Sequence, residues 1–139
     1  MDITLDIARN MIGAAMGEAQ RIGNACSIAI VDENGWLVAA ERMEGALIPT
    51  LDIARDKAWT AFAFNMPSSE VGRFGNPSLT NPGFNTANWN DRLTTIGGGL
   101  PIKEGDSVVG GVGVSGGTIE EDVAVCEAAI RAIAVSRPT

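Results

Sequence analysis

Lys57 and Arg42 are the two side chains whose type and setting first point to chemistry. Lys57 stands among apolar residues of a helix-forming segment, and Arg42 ends an apolar strand beside Gly45-Ala46. A cation so placed either snorkels or pairs internally with Asp52, Asp56 or Glu44. The alternative is a cationic pocket that receives a carboxylate or propionate. If the chain is a catalyst, Asp52, Glu44 or Asp91 is the candidate general base and Lys57 or Arg92 its electrostatic partner. Backbone N–H groups of the glycine-rich stretch would then serve as an oxyanion site.

Other chemistries are excluded by what is missing. The chain has no histidine and no tyrosine, so there is no imidazole for a triad, a zinc site or a proton shuttle near neutral pH. Cys26 and Cys126 lie among apolar neighbours and read as buried, inert thiols. Glu120, Glu121, Asp122 and Glu127 read as charges that serve a helix N-terminus, and no metal is expected there. Gly111-Val112-Gly113-Val114-Ser115-Gly116 matches G-x-G-x-x-G, but no strand with an acid follows it, so it is not a dinucleotide fingerprint. A helix start at Ser115–Thr118 could hold an anion on backbone N–H groups, against the bland reading that the acids beyond it serve that end. Gly97-Gly98-Gly99 lacks the Gly-Lys-Ser/Thr of a phosphate loop, and reads either as a bend between strands or as backbone lining a pocket.

The elements that must position these groups follow from pattern and punctuation. A first helix is expected from Thr4 to about Ile22, capped by Thr4 and stopped by Gly23. Cys26–Val31 and Trp36–Glu41 form a hairpin across Asn34-Gly35. Pro49 and Thr50 open a second helix, Leu51 to about Asn65, whose TLDIAR start repeats Thr4–Arg9 through shared capping logic. A short helix ends near Phe74. The stretch from Gly75 to Asp91, with Phe84 and Trp89, is a long loop, either functional or a surface loop pinned by its aromatics. Arg92–Glu121 holds nine of the 17 glycines. It reads as three strands broken by glycine turns, then a capping box, Thr118 with Glu121, that starts a last helix reaching about Val135. Glycines inside strands need a reason: close backbone approach, tight bends, or a ligand on the main chain. The order makes an α+β domain on an antiparallel sheet.

At 139 residues the chain is expected to form one domain, residues 1–139. Hydrophobic residues at 45% and charged residues at 19% fit a globular protein, and no apolar run is long enough for a membrane span. The acidic start lacks the basic character of a signal peptide, which points to the cytoplasm. A net charge of −7 without a basic stripe argues against nucleic acid as a partner.

SIAIVDENGWLVAAERMEGA, LDIARDKAWTAFAF and GGGLPIKEGDSVVGGVGVSGGTIEED together resemble the GlcG/HbpS family, which includes the C-terminal domain of PduO-type proteins. The resemblance implies a profilin-like α/β/α three-layer fold with a five-stranded antiparallel sheet and homo-oligomeric assembly. It also implies haem or tetrapyrrole binding for some members. Some relatives are thought to hold haem iron through histidine, which this chain lacks; Met43, Met66, Cys26 and Cys126 are its soft alternatives. The resemblance implies a pocket walled by Arg42, Lys57, Gly98, Gly99, Ser115 and Gly116, with the Phe84–Trp89 loop as lid. Two functions follow: a small-molecule binding protein for haem, another tetrapyrrole or an organic acid, or a cofactor-independent isomerase, lyase or hydrolase acting on a small carboxylated metabolite.

Overall fold

The computed structural model describes residues 1–74 and 91–136; the loop aromatics Phe84 and Trp89 lie outside the described residues. Helix α1 (Leu5–Ile22) is capped as its sequence predicts. The Thr4 hydroxyl accepts from the Ile7 N–H at 3.2 Å, and Gly23 closes the helix in the left-handed conformation at φ 75°. Strands β1 (Ser27–Val31) and β2 (Leu37–Arg42) form the expected hairpin. The Asp32 carboxylate shapes its turn by accepting from the N–H groups of Asn34 and Trp36.

Helix α2 (Thr50–Phe64) ends at Asn65 in the left-handed conformation, and a 3-10 helix covers Ser68–Phe74. Strands β3 (Gly99–Glu104) and β4 (Ser107–Ser115) follow, then helix α3 (Ile119–Ser136). The Thr118–Glu121 capping box forms, each side chain accepting from the other residue's N–H. The four strands pair antiparallel in the order β2-β1-β4-β3.

The two faces of the sheet are built differently. On one, Ile28, Ile30, Val112 and Val114 pack with Met11, Ile12 and Ala15 of α1 and with Val125, Ala129 and Ile133 of α3. The other face carries glycines and small side chains where α2 lies on the sheet backbone. A Cβ added at Gly113, Gly111 or Gly99 would overlap the carbonyl of Ala54, Ala58 or Lys57. Close helix approach is therefore what these three strand glycines provide.

The expectation of five strands needs correcting: among the described residues there are four. The segment read as a strand after Arg92 does not pair as one. Side chains from elsewhere claim its backbone: the Thr60 hydroxyl donates to the Arg92 carbonyl and accepts from the Thr94 N–H. Ser68 likewise donates to the Ile96 carbonyl at 2.7 Å and accepts from the Gly99 N–H at 2.9 Å. No described helix is long and apolar enough to cross a membrane.

Candidate functional site

Lys57 is buried, with 2% of its surface exposed, and its ammonium lies where β4 ends. It donates to the Val114 carbonyl at 2.8 Å and to the Asp122 carboxylate at 3.4 Å. Asp122 is equally buried, so this is an internal ion pair linking α2 on one face of the sheet to α3 on the other. The other carboxylate oxygen accepts from the Asn24 amide and from the Gly117 N–H, each at 3.0 Å. A buried carboxylate with one cation and two further donors has the partners that burial demands.

Gly98 makes room for the ammonium. It sits at φ 117°, and a Cβ there would stand 2.8 Å from the Lys57 nitrogen and 2.7 Å from the Val114 carbonyl oxygen. Gly98 thus bends the chain around the lysine tip, in line with the bend that the sequence offered as one reading of the glycine run. Its carbonyl accepts from the Val114 N–H at 2.8 Å and from the Cys126 thiol at 3.1 Å.

A cleft of about 290 Å³ opens over this pair. Lys57, Asp122, Ser115 and Gly116 form its polar side, and Leu47, Pro49, Ile53, Ile96 and Ile119 line the rest. The helix N-terminus beside it is not an open anion site, because the Gly117 and Thr118 N–H groups already bond to Asp122 and Glu121.

The other expected site residues are dispersed. Arg42 is exposed at the end of β2, donates to the Ala46 carbonyl at 3.0 Å, and does not line the cleft. Glu44 borders a separate cavity with Met16, Gln20 and Met43. Asp52 is exposed in the first turn of α2. Asp91 and Arg92 border a third cleft with Trp36 and Trp59, where the Arg92 guanidinium lies 4.5 Å from the Trp59 ring centre. So Lys57, Ser115 and Gly116 line one cleft; Gly98 and Gly99 pack against Lys57 but are not in the cleft lining, and Arg42, Glu44, Asp52 and Arg92 stand elsewhere. The carboxylate at Lys57 is Asp122, 65 residues away in sequence. Its surroundings in sequence, an acidic helix start, gave no sign of that role.

Both thiols are buried and free. Burial pushes the Cys26 thiol up to about 12, with Asp122 adding to the rise and Lys57 opposing it. Cys126 is raised further, again chiefly by burial. Neither forms thiolate near pH 8, so iodoacetamide should leave both unmodified in the native protein and alkylate both in denaturant, as intact mass would report. Native-state labelling of either thiol at the denatured rate would contradict this burial.

The comparisons with known proteins agree with this architecture. Residues 3–131 match the family model described as haem degrading protein HbpS-like. An uncharacterized 15.0 kDa protein of the dhaT-dhaS intergenic region in Citrobacter freundii is 34% identical, over 92% of this chain and 89% of that one. The corrinoid adenosyltransferase PduO of Citrobacter freundii is 31% identical over 97% of this chain, which spans only 40% of that larger protein. Among solved structures, the PduOC:haem complex superposes with a TM-score of 0.83 at 27% identity, covering 95% of each chain. The chain belongs to the HbpS-like family.

Proposed function

We propose that this chain is a tetrapyrrole-binding protein and that the macrocycle sits in the cleft over Lys57 and Asp122. One observation carries the proposal: the cleft is rimmed by large aliphatic side chains held in water. Leu47 is 73% exposed, Ile96 53% and Ile119 49%, and the neighbouring Ile48 is 84% exposed. A contiguous apolar rim around a polar floor fits a flat, mostly apolar ligand, and covering it releases the apolar area that binding needs. Haem bound to PduOC and the corrinoid chemistry of PduO support the same ligand class.

The lining of the cleft supports apolar contact with a macrocycle rather than ligation of an iron. The chain has no histidine, and none of Met43, Met66, Cys26 or Cys126 lines the cleft. The Lys57 amine is committed to Val114 and Asp122. Affinity therefore rests on apolar contact, with no strong axial bond from a side chain.

Titration of the purified protein with hemin and with metal-free protoporphyrin IX tests this. Each should saturate at one equivalent per chain, with dissociation constants within about tenfold of each other. Leu47→Asp should weaken both by tenfold or more, the expected consequence of losing roughly 1.5–3 kcal/mol of aliphatic burial. Saturable binding of neither ligand would overturn the proposal and leave a protein partner as the occupant of the rim. A hemin preference of a thousandfold would mean that a side chain does ligate the iron.

A further inference from the structure

The cleft beside Asp91 and Arg92, about 380 Å³, shares no lining residue with the cleft over Lys57. Two indoles and two guanidiniums line it, Trp36, Trp59, Arg55 and Arg92, with Leu37 and Asp91 beside them. Three parts of the chain hold these groups in place. Arg55 and Trp59 are four residues apart on α2 and so share one face of it. The β1–β2 turn leans on Trp59: Gly35 sits at φ 80°, and a Cβ there would stand 3.1 Å from the indole. In that turn the Trp36 N–H donates to the Asp32 carboxylate, and the Trp36 carbonyl accepts from the Asp32 N–H. The Arg92 carbonyl accepts from the Thr60 hydroxyl, and its guanidinium lies over the Trp59 ring.

Two of these side chains are held firmly yet do little for the fold. Trp36 is 68% exposed, although its backbone is tied on both sides. An indole kept in water contributes little to folding and much to a ligand that covers it. Arg55 is partly exposed, and it approaches Asp56 at 3.6 Å, too far for a hydrogen bond. Its Nε has no acceptor among the described residues. The lining carries two cations against one acid, Asp91, on a chain whose net charge is −7. A local excess of guanidinium favours an anion, and a planar carboxylate matches its fork of donors.

We infer that this cleft is a second ligand site, for a planar aromatic carboxylate of one or two rings. The ring lies against Trp36 and Leu37, and the carboxylate meets the guanidiniums of Arg55 and Arg92. Its volume is at the small end of the roughly 300–1,000 Å³ that ligand pockets span, which sets the ring count. Contact with Trp59 holds Arg92 before the ligand arrives, so binding costs less side-chain order.

NMR of the indole N–H groups in isotope-labelled full chain, titrated with naphthoate and with uncharged naphthamide, tests this. Trp36→Ser, at an exposed position, identifies the Trp36 signal by its loss. The Trp36 and Trp59 signals should shift saturably with naphthoate, with a dissociation constant of about 1 mM or tighter. Naphthamide should bind at least about tenfold more weakly. Arg55→Gln should weaken naphthoate by about threefold or more and leave naphthamide unchanged, in a chain that circular dichroism shows to be folded. Arg55→Gln/Arg92→Gln should abolish the preference for the acid. Trp36→Ser should weaken both ligands and leave the protoporphyrin IX titration as it was. Shifts that do not saturate below about 10 mM, or an amide that binds as well as the acid, would overturn the inference. So would folded arginine variants that keep the wild-type preference. Displacement of naphthoate by one equivalent of protoporphyrin IX would also overturn it, by placing naphthoate in the cleft over Lys57. Naphthoate binding needs no tetrapyrrole, so either reading can fail without the other.

Discussion

Lys57→Met should cost about 3–5 kcal/mol of folding stability, because it leaves the Asp122 carboxylate buried without its cation. The charge cannot escape to water from that position: Asp122 is 2% exposed and held from behind by Asn24 and Gly117. Those two donors remain after the substitution, which places the loss toward the lower end of the range. The Val114 carbonyl also loses the donor it shares with the lysine. Lys57→Met/Asp122→Asn should recover much of the stability, since removing both charges of a buried pair is far cheaper than removing one. Urea unfolding of the wild type, the single variant and the double variant decides the matter. A single-variant loss below about 1 kcal/mol, or a double variant no better than the single, would show that the pair is not the internal tie described. Tetrapyrrole titrations of the Lys57 variant carry meaning only at temperatures where it is folded.

The same pair marks the limit of what the sequence makes legible. Features set by a few adjacent residues were legible: the Thr4 cap and Gly23 stop of α1, the Asn34-Gly35 hairpin, and the Thr118–Glu121 box. Each is a local hydrogen-bonding arrangement, so the residue types reveal it. Lys57 stood out for the same reason, as a cation among apolar neighbours. Its partner did not, because Asp122 sits in an acidic helix start where any carboxylate would serve the dipole. The segment after Arg92 misled because its composition suits a strand, whereas its pairing is decided by hydroxyls of Thr60 and Ser68. Arg42 misled because it leaves β2 at an edge and turns back to the Ala46 carbonyl. Tertiary placement, which spacing does not encode, decided all three.

The glycine-rich strands lead to the second large expected effect. Gly113→Ala should destabilise by about 3 kcal/mol or more, beyond most overpacking changes, because the added methyl meets backbone that cannot rotate away. A Cβ at Gly113 would overlap the Ala54 carbonyl and stand 2.6 Å from the Ala58 nitrogen, both inside α2. Relief requires α2 to lift from the sheet, and α2 carries Lys57 on its next turn. Any folded fraction should therefore have a loosened Lys57–Asp122 pair and bind tetrapyrrole less well. Gly105→Ala is the control, since its position in the β3–β4 turn has φ 61° and nothing within 4 Å of a Cβ. That change should cost only the left-handed strain of about 1–2 kcal/mol. Gly13→Ala, in open space within a helix, should raise the stability of the folded chain by up to about 1 kcal/mol. One methyl group thus has three predicted outcomes, set by what lies opposite each glycine. If thermal or urea unfolding gave Gly113→Ala a loss no larger than Gly105→Ala, close packing of α2 on the sheet would not be the reason for the glycines. The polar floor of the cleft would then need another explanation, because the position of Lys57 depends on that same contact.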